Sequence, residues 1–182
     1  MKKLLMIAGL LCFLAFACQN TQEKESDATE NTEQAAGEQA SNQITNPQEE
    51  ALNQAKIDQK LIETYLAENE IEANKTSEGI YFEIQKEGNQ DKKPDINSNV
   101  SVQYVGKLLN GTTFDRSPPD ENVSFPLNRV ILGWQKGIPL IGEGGEVKLV
   151  LPSGMAYGKA AVGNKIPPNS VLVFDVTLET VE

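Results

Sequence analysis

The stretch Val130-Ile131-Leu132-Gly133-Trp134 limits the possible folds more than any other part of the chain. Trp134 is the only tryptophan and follows a glycine, and Gln135-Lys136-Gly137-Ile138-Pro139-Leu140-Ile141 continues it as a short amphipathic turn of helix. On both sides, residues 100–108, 146–151 and 171–181 alternate apolar and polar side chains, the period of half-buried strands. A wide indole on a short helix among strands suits the floor of an apolar pocket.

Further strands follow from the same periodicity. Gly79 opens Ile80-Tyr81-Phe82-Glu83-Ile84-Gln85-Lys86, and residues 87–99, with Pro94, form a loop. Asn110-Gly111 signals a hairpin into Thr112-Thr113-Phe114-Asp115. Residues 116–122 read as an exposed loop and Val123-Ser124-Phe125-Pro126-Leu127 as extended chain. Gly142-Glu143-Gly144-Gly145 invites a phosphate-loop reading, but a strand follows the glycines where a phosphate cradle needs a helix N-terminus. The last strand places Leu172, Phe174, Val176 and Leu178 on one face, after a long loop over residues 152–170.

One long helix precedes these strands. Asn46 can cap it, Pro47 suits its first position, and Glu49 can reach back as in a capping box. Ala51, Leu52, Ala55, Ile62 and Leu66 run along one side, with Ile57, Leu61 and Tyr65 nearby, and the helix ends near Asn69. This face serves either packing on the domain or pairing with another chain, the first being favoured; the sequence does not define the oligomeric state.

The first 45 residues differ in kind. Residues 1–17 carry Lys2-Lys3, an apolar run from Leu4 and the small-residue end Ala15-Phe16-Ala17, the pattern of a secretory signal too short to span a bilayer. Residues 18–45 are expected to form a disordered acidic tether. From Gln19 onward they hold six carboxylates against one lysine and a single branched aliphatic, Ile44, too little apolar surface to offset ordering entropy. Residues 46–75 then form a helical extension and residues 76–182 the folded domain.

Composition removes whole classes of function. With no histidine, serine–histidine triads and histidine metal sites are excluded. Of the two cysteines, Cys12 lies within the signal, so Cys18 has no partner for a disulfide. A net charge of −10, more negative still without Lys2 and Lys3, argues against nucleic acid as partner.

The segments VQYVGKLLNGTTFD, VILGWQKGI, AYG and IPPNSVLVFDVTLETV, in that order and spacing, resemble the FKBP family, the tacrolimus-binding immunophilins that act as peptidyl-prolyl cis–trans isomerases. The resemblance covers residues 100–182. It implies an α+β fold in which a strongly bent antiparallel β-sheet wraps around one short α-helix. It further implies catalytic roles for Tyr104, Asp115, Ile131, Trp134 and Tyr157, with Trp134 as the pocket floor. The Ile131 backbone amide and the Tyr157 hydroxyl are expected to bond substrate carbonyls, and Phe114, Phe125, Val130, Ile166 and Phe174 to contact substrate. Proline-containing polypeptides are the implied partners, with macrolide immunophilin ligands as further occupants of the pocket. No cofactor or metal is needed. Val123 stands where many members place phenylalanine, Arg116 where serine is common, and Val162 and Lys165 lie near substrate in a loop of individual sequence.

Leu14-Ala15-Phe16-Ala17-Cys18 resembles a bacterial lipoprotein processing site, which implies lipidation of Cys18 and an exported protein anchored to a membrane. Ordinary cleavage after Ala17, leaving a free thiol, is the alternative. Isomerisation suits the residues present, because rotation about an X–Pro bond needs no nucleophile, only an apolar enclosure that fits the twisted amide better than the planar one. A non-catalytic module that binds proline peptides as a chaperone or scaffold remains the competing expectation. For Trp134, Tyr104, Phe114 and Phe174 simple core packing is an alternative, as is pairing of Asp115 with Arg116 or Arg129.

Overall fold

The computed structural model describes residues 46–182; the signal, the tether and Cys18 lie outside the described residues. The first element is α1, Pro47–Glu68. Seven strands follow: β1 Asn74–Lys75, β2 Tyr81–Lys86, β3 Asn99–Leu108, β4 Thr113–Arg116, β5 Val123–Pro126, β6 Gly145–Leu151 and β7 Leu172–Val181. They build one antiparallel sheet in the order β1-β2-β6-β7-β3-β4, with β5 also paired to β3. The short helix α2, Leu132–Gly137, lies between β5 and β6 in sequence and runs on into a 3₁₀ turn at Ile138–Leu140.

Alternation sorts the side chains of the central strands onto two faces. On β7, Leu172, Phe174, Val176 and Leu178 join Leu149 and Leu151 of β6, Val100 and Val102 of β3, and Trp134 and Ile138 in one buried core. This is the face that α2 covers. Val150 of β6, Val173 of β7 and Tyr81 of β2 point the other way and pack with Ile62 and Leu66 of α1. Across the strands, Asp175 of β7 binds Lys107 of β3 at 3.1 Å and also Lys148 of β6. Burial would raise the Asp175 carboxyl, but the two ammonium groups hold it below the usual carboxylate range.

Why α2 can lie so close to the sheet is written in two glycines four residues apart. A Cβ on Gly133 would come within 2.4 Å of Leu151 Cδ1, and one on Gly137 within 2.6 Å of Leu149 Cδ1. Both leucines are fully buried, so neither can swing aside. Gly133→Ala gains about 1 kcal/mol of helix propensity but meets an overpacking cost of about 1–3 kcal/mol. The expected result is a lower denaturation midpoint in urea with an unchanged slope.

The strands match the sequence periodicity to within one or two residues. The hairpin after β3 turns at Asn110-Gly111, where Gly111 takes φ +83° and its N–H donates to the Leu108 carbonyl at 2.9 Å. The sheet, however, starts at Asn74 and Lys75, which pair with Phe82 and Tyr81, and residues 90–92 form a 3₁₀ turn inside the expected loop.

The helix departs further from expectation. Its cap is the Asn46 side chain accepting from the Gln48 N–H at 3.1 Å. Its buried residues are Asp58, Ile62 and Leu66. Leu52, Ile57 and Leu61, expected on or near the packed side, are exposed, because the face that meets the sheet is set by the spacing of residues 58, 62 and 66. Among the described residues no helix is long and apolar enough to cross a membrane.

Candidate functional site

The bent sheet leaves an opening above α2, and side chains from five elements and two connecting segments converge on it. Tyr104 comes from β3, Phe114 and Asp115 from β4, Val123 and Phe125 from β5, Trp134 from α2 and Phe174 from β7. Arg129, Val130 and Ile131 enter from the segment between β5 and α2, and Tyr157 from the loop before β7. Together they enclose a cavity of about 340 Å³, near the lower end of the roughly 300–1,000 Å³ of small-ligand sites.

Trp134 is nearly buried and is braced by three rings. Tyr104 and Phe174 meet it edge to face at centroid distances of 5.0 and 5.2 Å, and Phe125 lies tilted at 5.4 Å. Phe114 in turn meets Phe174 edge to face at 5.6 Å. Edge-to-face aromatic pairs are favourable in their own right and rigid. The indole N–H is buried with no acceptor among the described residues.

The polar groups are few and placed at the edge of this aromatic set. The Tyr104 hydroxyl donates to Asp115 Oδ2 at 2.8 Å, and the Arg116 backbone N–H donates to Asp115 Oδ1 at 3.0 Å. Asp115 is therefore held by a phenol and an amide, not by the guanidinium of Arg116 or Arg129 that its neighbours suggested. Ile131 occupies the N-cap position of α2, where its carbonyl accepts from the Trp134 and Gln135 N–H groups. Its own N–H has no acceptor among the described residues, and the residue lines the cavity. The Tyr157 hydroxyl likewise has no partner there, and the residue is 40% exposed.

The phenol of Tyr104 is pushed up to about 12, first by burial, then by its hydrogen bond to Asp115 and the charges of Asp115 and Tyr157. Tyr157 is raised as well, by burial and then by Asp115. Both are neutral donors at neutral pH. A phenol whose folded pKa exceeds its unfolded value stabilises the fold fully below the unfolded pKa and loses that contribution as pH rises through the folded one. Unfolding free energy is thus expected to fall between pH 10 and about 12. Urea titrations across that window check this, and Tyr104→Phe should flatten the fall.

Of the residues expected at the site, Tyr104, Phe114, Asp115, Phe125, Val130, Ile131, Trp134, Tyr157 and Phe174 share this one hollow. Ile166, held by the bridge between Val162 and Ile166 and buried against the main core, lines an adjoining recess of about 180 Å³ that shares Phe114, Asp115 and Tyr157 with this hollow and adds Val162 and Lys165. Lys165 donates to the Phe114 carbonyl at 3.0 Å, closing that end of the loop over β4. Arg129 borders the main cavity, although the sequence offered it only as a partner for Asp115. Its place there depends on the turn after β5, which no local pattern announces.

Comparison with known proteins agrees with this geometry. Residues 90–179 match the family described as FKBP-type peptidyl-prolyl cis-trans isomerase. The chain is 38% identical over 154 residues to the probable FKBP-type peptidyl-prolyl cis-trans isomerase FkpA of Neisseria meningitidis serogroup B, covering 81% of this chain and 56% of that protein. It is 44% identical over 104 residues to FkpA of Escherichia coli strain K12, covering 57% and 38%. The chain thus spans about half the length, or less, of these curated relatives. The crystal structure of FkpA from Escherichia coli superposes with a TM-score of 0.62 at 37% identity, over 74% of this chain and 64% of that one. A peptidyl-prolyl cis-trans isomerase structure from Pseudomonas syringae pv. tomato gives a TM-score of 0.60 at 32% identity, over 70% of this chain and 96% of that one. The bent sheet, the tryptophan on its short helix and the match across nearly all of that last structure lead to one conclusion: this chain belongs to the FKBP-type peptidyl-prolyl cis-trans isomerase family.

Proposed function

We propose that the chain is an exported peptidyl-prolyl cis–trans isomerase that accelerates the folding of envelope proteins by holding a twisted X–Pro amide in the aromatic cavity. The observation that carries this reading is the pairing of an aromatic floor with two uncommitted donors, the Ile131 N–H and the Tyr157 hydroxyl. The barrier of about 18–20 kcal/mol to rotation comes from lost amide resonance. Enclosure by Trp134, Phe114, Phe125 and Phe174 seats the prolyl ring and removes water from the amide carbonyl. In the twisted form the nitrogen lone pair no longer delocalises onto the carbonyl oxygen, which is then less negative and loses less on leaving water. The apolar enclosure therefore favours it over the planar ground state, while the two donors anchor neighbouring substrate carbonyls. Asp115 keeps the Tyr104 ring upright against Trp134 by accepting its hydroxyl proton in a hydrogen bond.

A protease-coupled assay on proline peptides tests the reading. Turnover well above the uncatalysed tens of seconds is expected. Measurable peptide binding with no rate above background would select instead a binding module acting as chaperone or scaffold. Export through residues 1–17 and lipid attachment at Cys18, with residues 18–45 as an acidic spacer, belong to the same proposal. Palmitate labelling of the wild type but not of Cys18→Ser is the expected result; equal labelling of both would remove the anchor.

A further inference from the structure

The helical extension reaches the loop that carries Tyr157 through a buried carboxylate. Asp58 of α1 is only 1% exposed, and so is Ser153, at the start of the 3₁₀ turn Ser153–Met155. Asp58 Oδ2 accepts from the Ser153 backbone N–H at 2.8 Å and from its hydroxyl at 2.6 Å, while Oδ1 accepts from Gln54 Nε2 at 2.7 Å. A carboxylate withdrawn from water persists only when its oxygens are bonded in this way.

Ser153 passes that hold onward. Its carbonyl accepts from the N–H of Ala156 at 3.0 Å and of Gly158 at 2.8 Å, the residues on either side of Tyr157. Gly158 in turn receives the Asn169 N–H at 2.7 Å, tying down the far side of the loop. Lys159 adds an exposed ion pair to Glu50 of α1, a contact of little energetic weight at the surface. The Tyr157 hydroxyl has no hydrogen-bond partner among the described residues, so its position follows from the backbone frame and from the side chains it packs beside. Four residues before Ile62 and eight before Leu66, Asp58 is the one charge among the residues that α1 buries. An apolar residue there could not accept the Ser153 hydrogen bonds that hold the turn.

We propose that Asp58 is a positioning residue for the candidate site: through Ser153 it fixes the turn that aims Tyr157 into the cavity, making α1 a working part of the isomerase. This rests on the reading of Tyr157 as a substrate-binding group, and the test separates the two ideas. In the full chain, Asp58→Ala is expected to lower kcat/KM roughly tenfold, yet less than about twofold when Tyr157→Phe is already present, the non-additivity of residues acting through one another. Asp58→Asn, which retains an acceptor, should restore much of the loss. The same chain labelled with fluorotyrosine contains four such rings, and the resonance identified by its absence in Tyr157→Phe should shift in Asp58→Ala.

An equal loss in both backgrounds overturns the proposal, because a merely structural role would lower activity regardless of Tyr157. If Asp58→Ala does not fold, as judged by circular dichroism, Ser153→Ala takes its place in the cycle with a smaller expected loss and the same criterion. If the wild type shows no turnover, the isomerase reading fails on its own. The resonance then decides: a Tyr157 signal unmoved by Asp58→Ala or Ser153→Ala overturns the clamp.

Discussion

Trp134→Ala is expected to destabilise the domain by about 3–5 kcal/mol, the range found when a large aromatic is deleted from a packed interior. The indole is nearly buried and three rings pack on it, so its removal leaves Tyr104, Phe125 and Phe174 without their common partner. Against a total stability of about 5–15 kcal/mol for a typical domain, that is a large share. Because Trp134 is the only tryptophan, the midpoint must be followed by circular dichroism instead of fluorescence. Trp134→Phe keeps an aromatic floor of smaller area and should recover more than half of the lost stability. Proline-peptide binding should weaken in parallel, since the floor of the cavity and the keystone of the aromatic cluster are one side chain. A Trp134→Ala protein with wild-type midpoint and wild-type peptide affinity would show that the ring has neither role.

The second large effect concerns Asp115. Its two oxygens are engaged by the Tyr104 hydroxyl and the Arg116 N–H, both at the rim, so its loss should leave the core intact. Asp115 is exposed, so Asp115→Ala is expected to change stability little, while loss of the bond that holds the Tyr104 ring is expected to lower kcat/KM roughly tenfold or more. Tyr104→Phe breaks the same bond from the other side while keeping the carboxylate. If Asp115 works by orienting Tyr104, the two single variants and the double variant lose similar activity. A much larger loss in Asp115→Ala than in Tyr104→Phe would place the carboxylate's effect on the substrate itself. Full activity in both would remove this pair from the mechanism.

The residues that were legible beforehand share a property: their local pattern and their final position have the same cause. Alternation in residues 100–108 and 171–181 follows from a sheet with a core on one face, and that core is where Phe174 and Val102 lie. Asn110-Gly111 turns the chain because glycine accepts a positive φ. An isoleucine before two prolines suits a pocket edge and a core equally; the bridge to Val162 sets Ile166 beside Phe114, Asp115 and Tyr157. Leu52, Ile57 and Leu61 are exposed because helical periodicity reports where apolar residues fall, not which stripe meets the sheet. Nothing local singles out Asp58, because a charge in a helix normally faces water. Its spacing to Ile62 and Leu66 was the available signal, and its meaning required sight of Ser153, 95 residues away.

By itself, then, the sequence determined the strand periodicity, the hairpin, the lone tryptophan on its short helix and the exclusion of histidine and disulfide chemistry, because each depends only on residue identity and near-neighbour spacing. Tertiary structure alone decided that Arg129 borders the cavity, that Ile166 lines the recess adjoining it, that Asp115 bonds to Tyr104, and that α1 grips the Tyr157 turn. Those outcomes are competitions between distant groups for buried space and hydrogen bonds, and such contests are settled only when the chain has closed on itself.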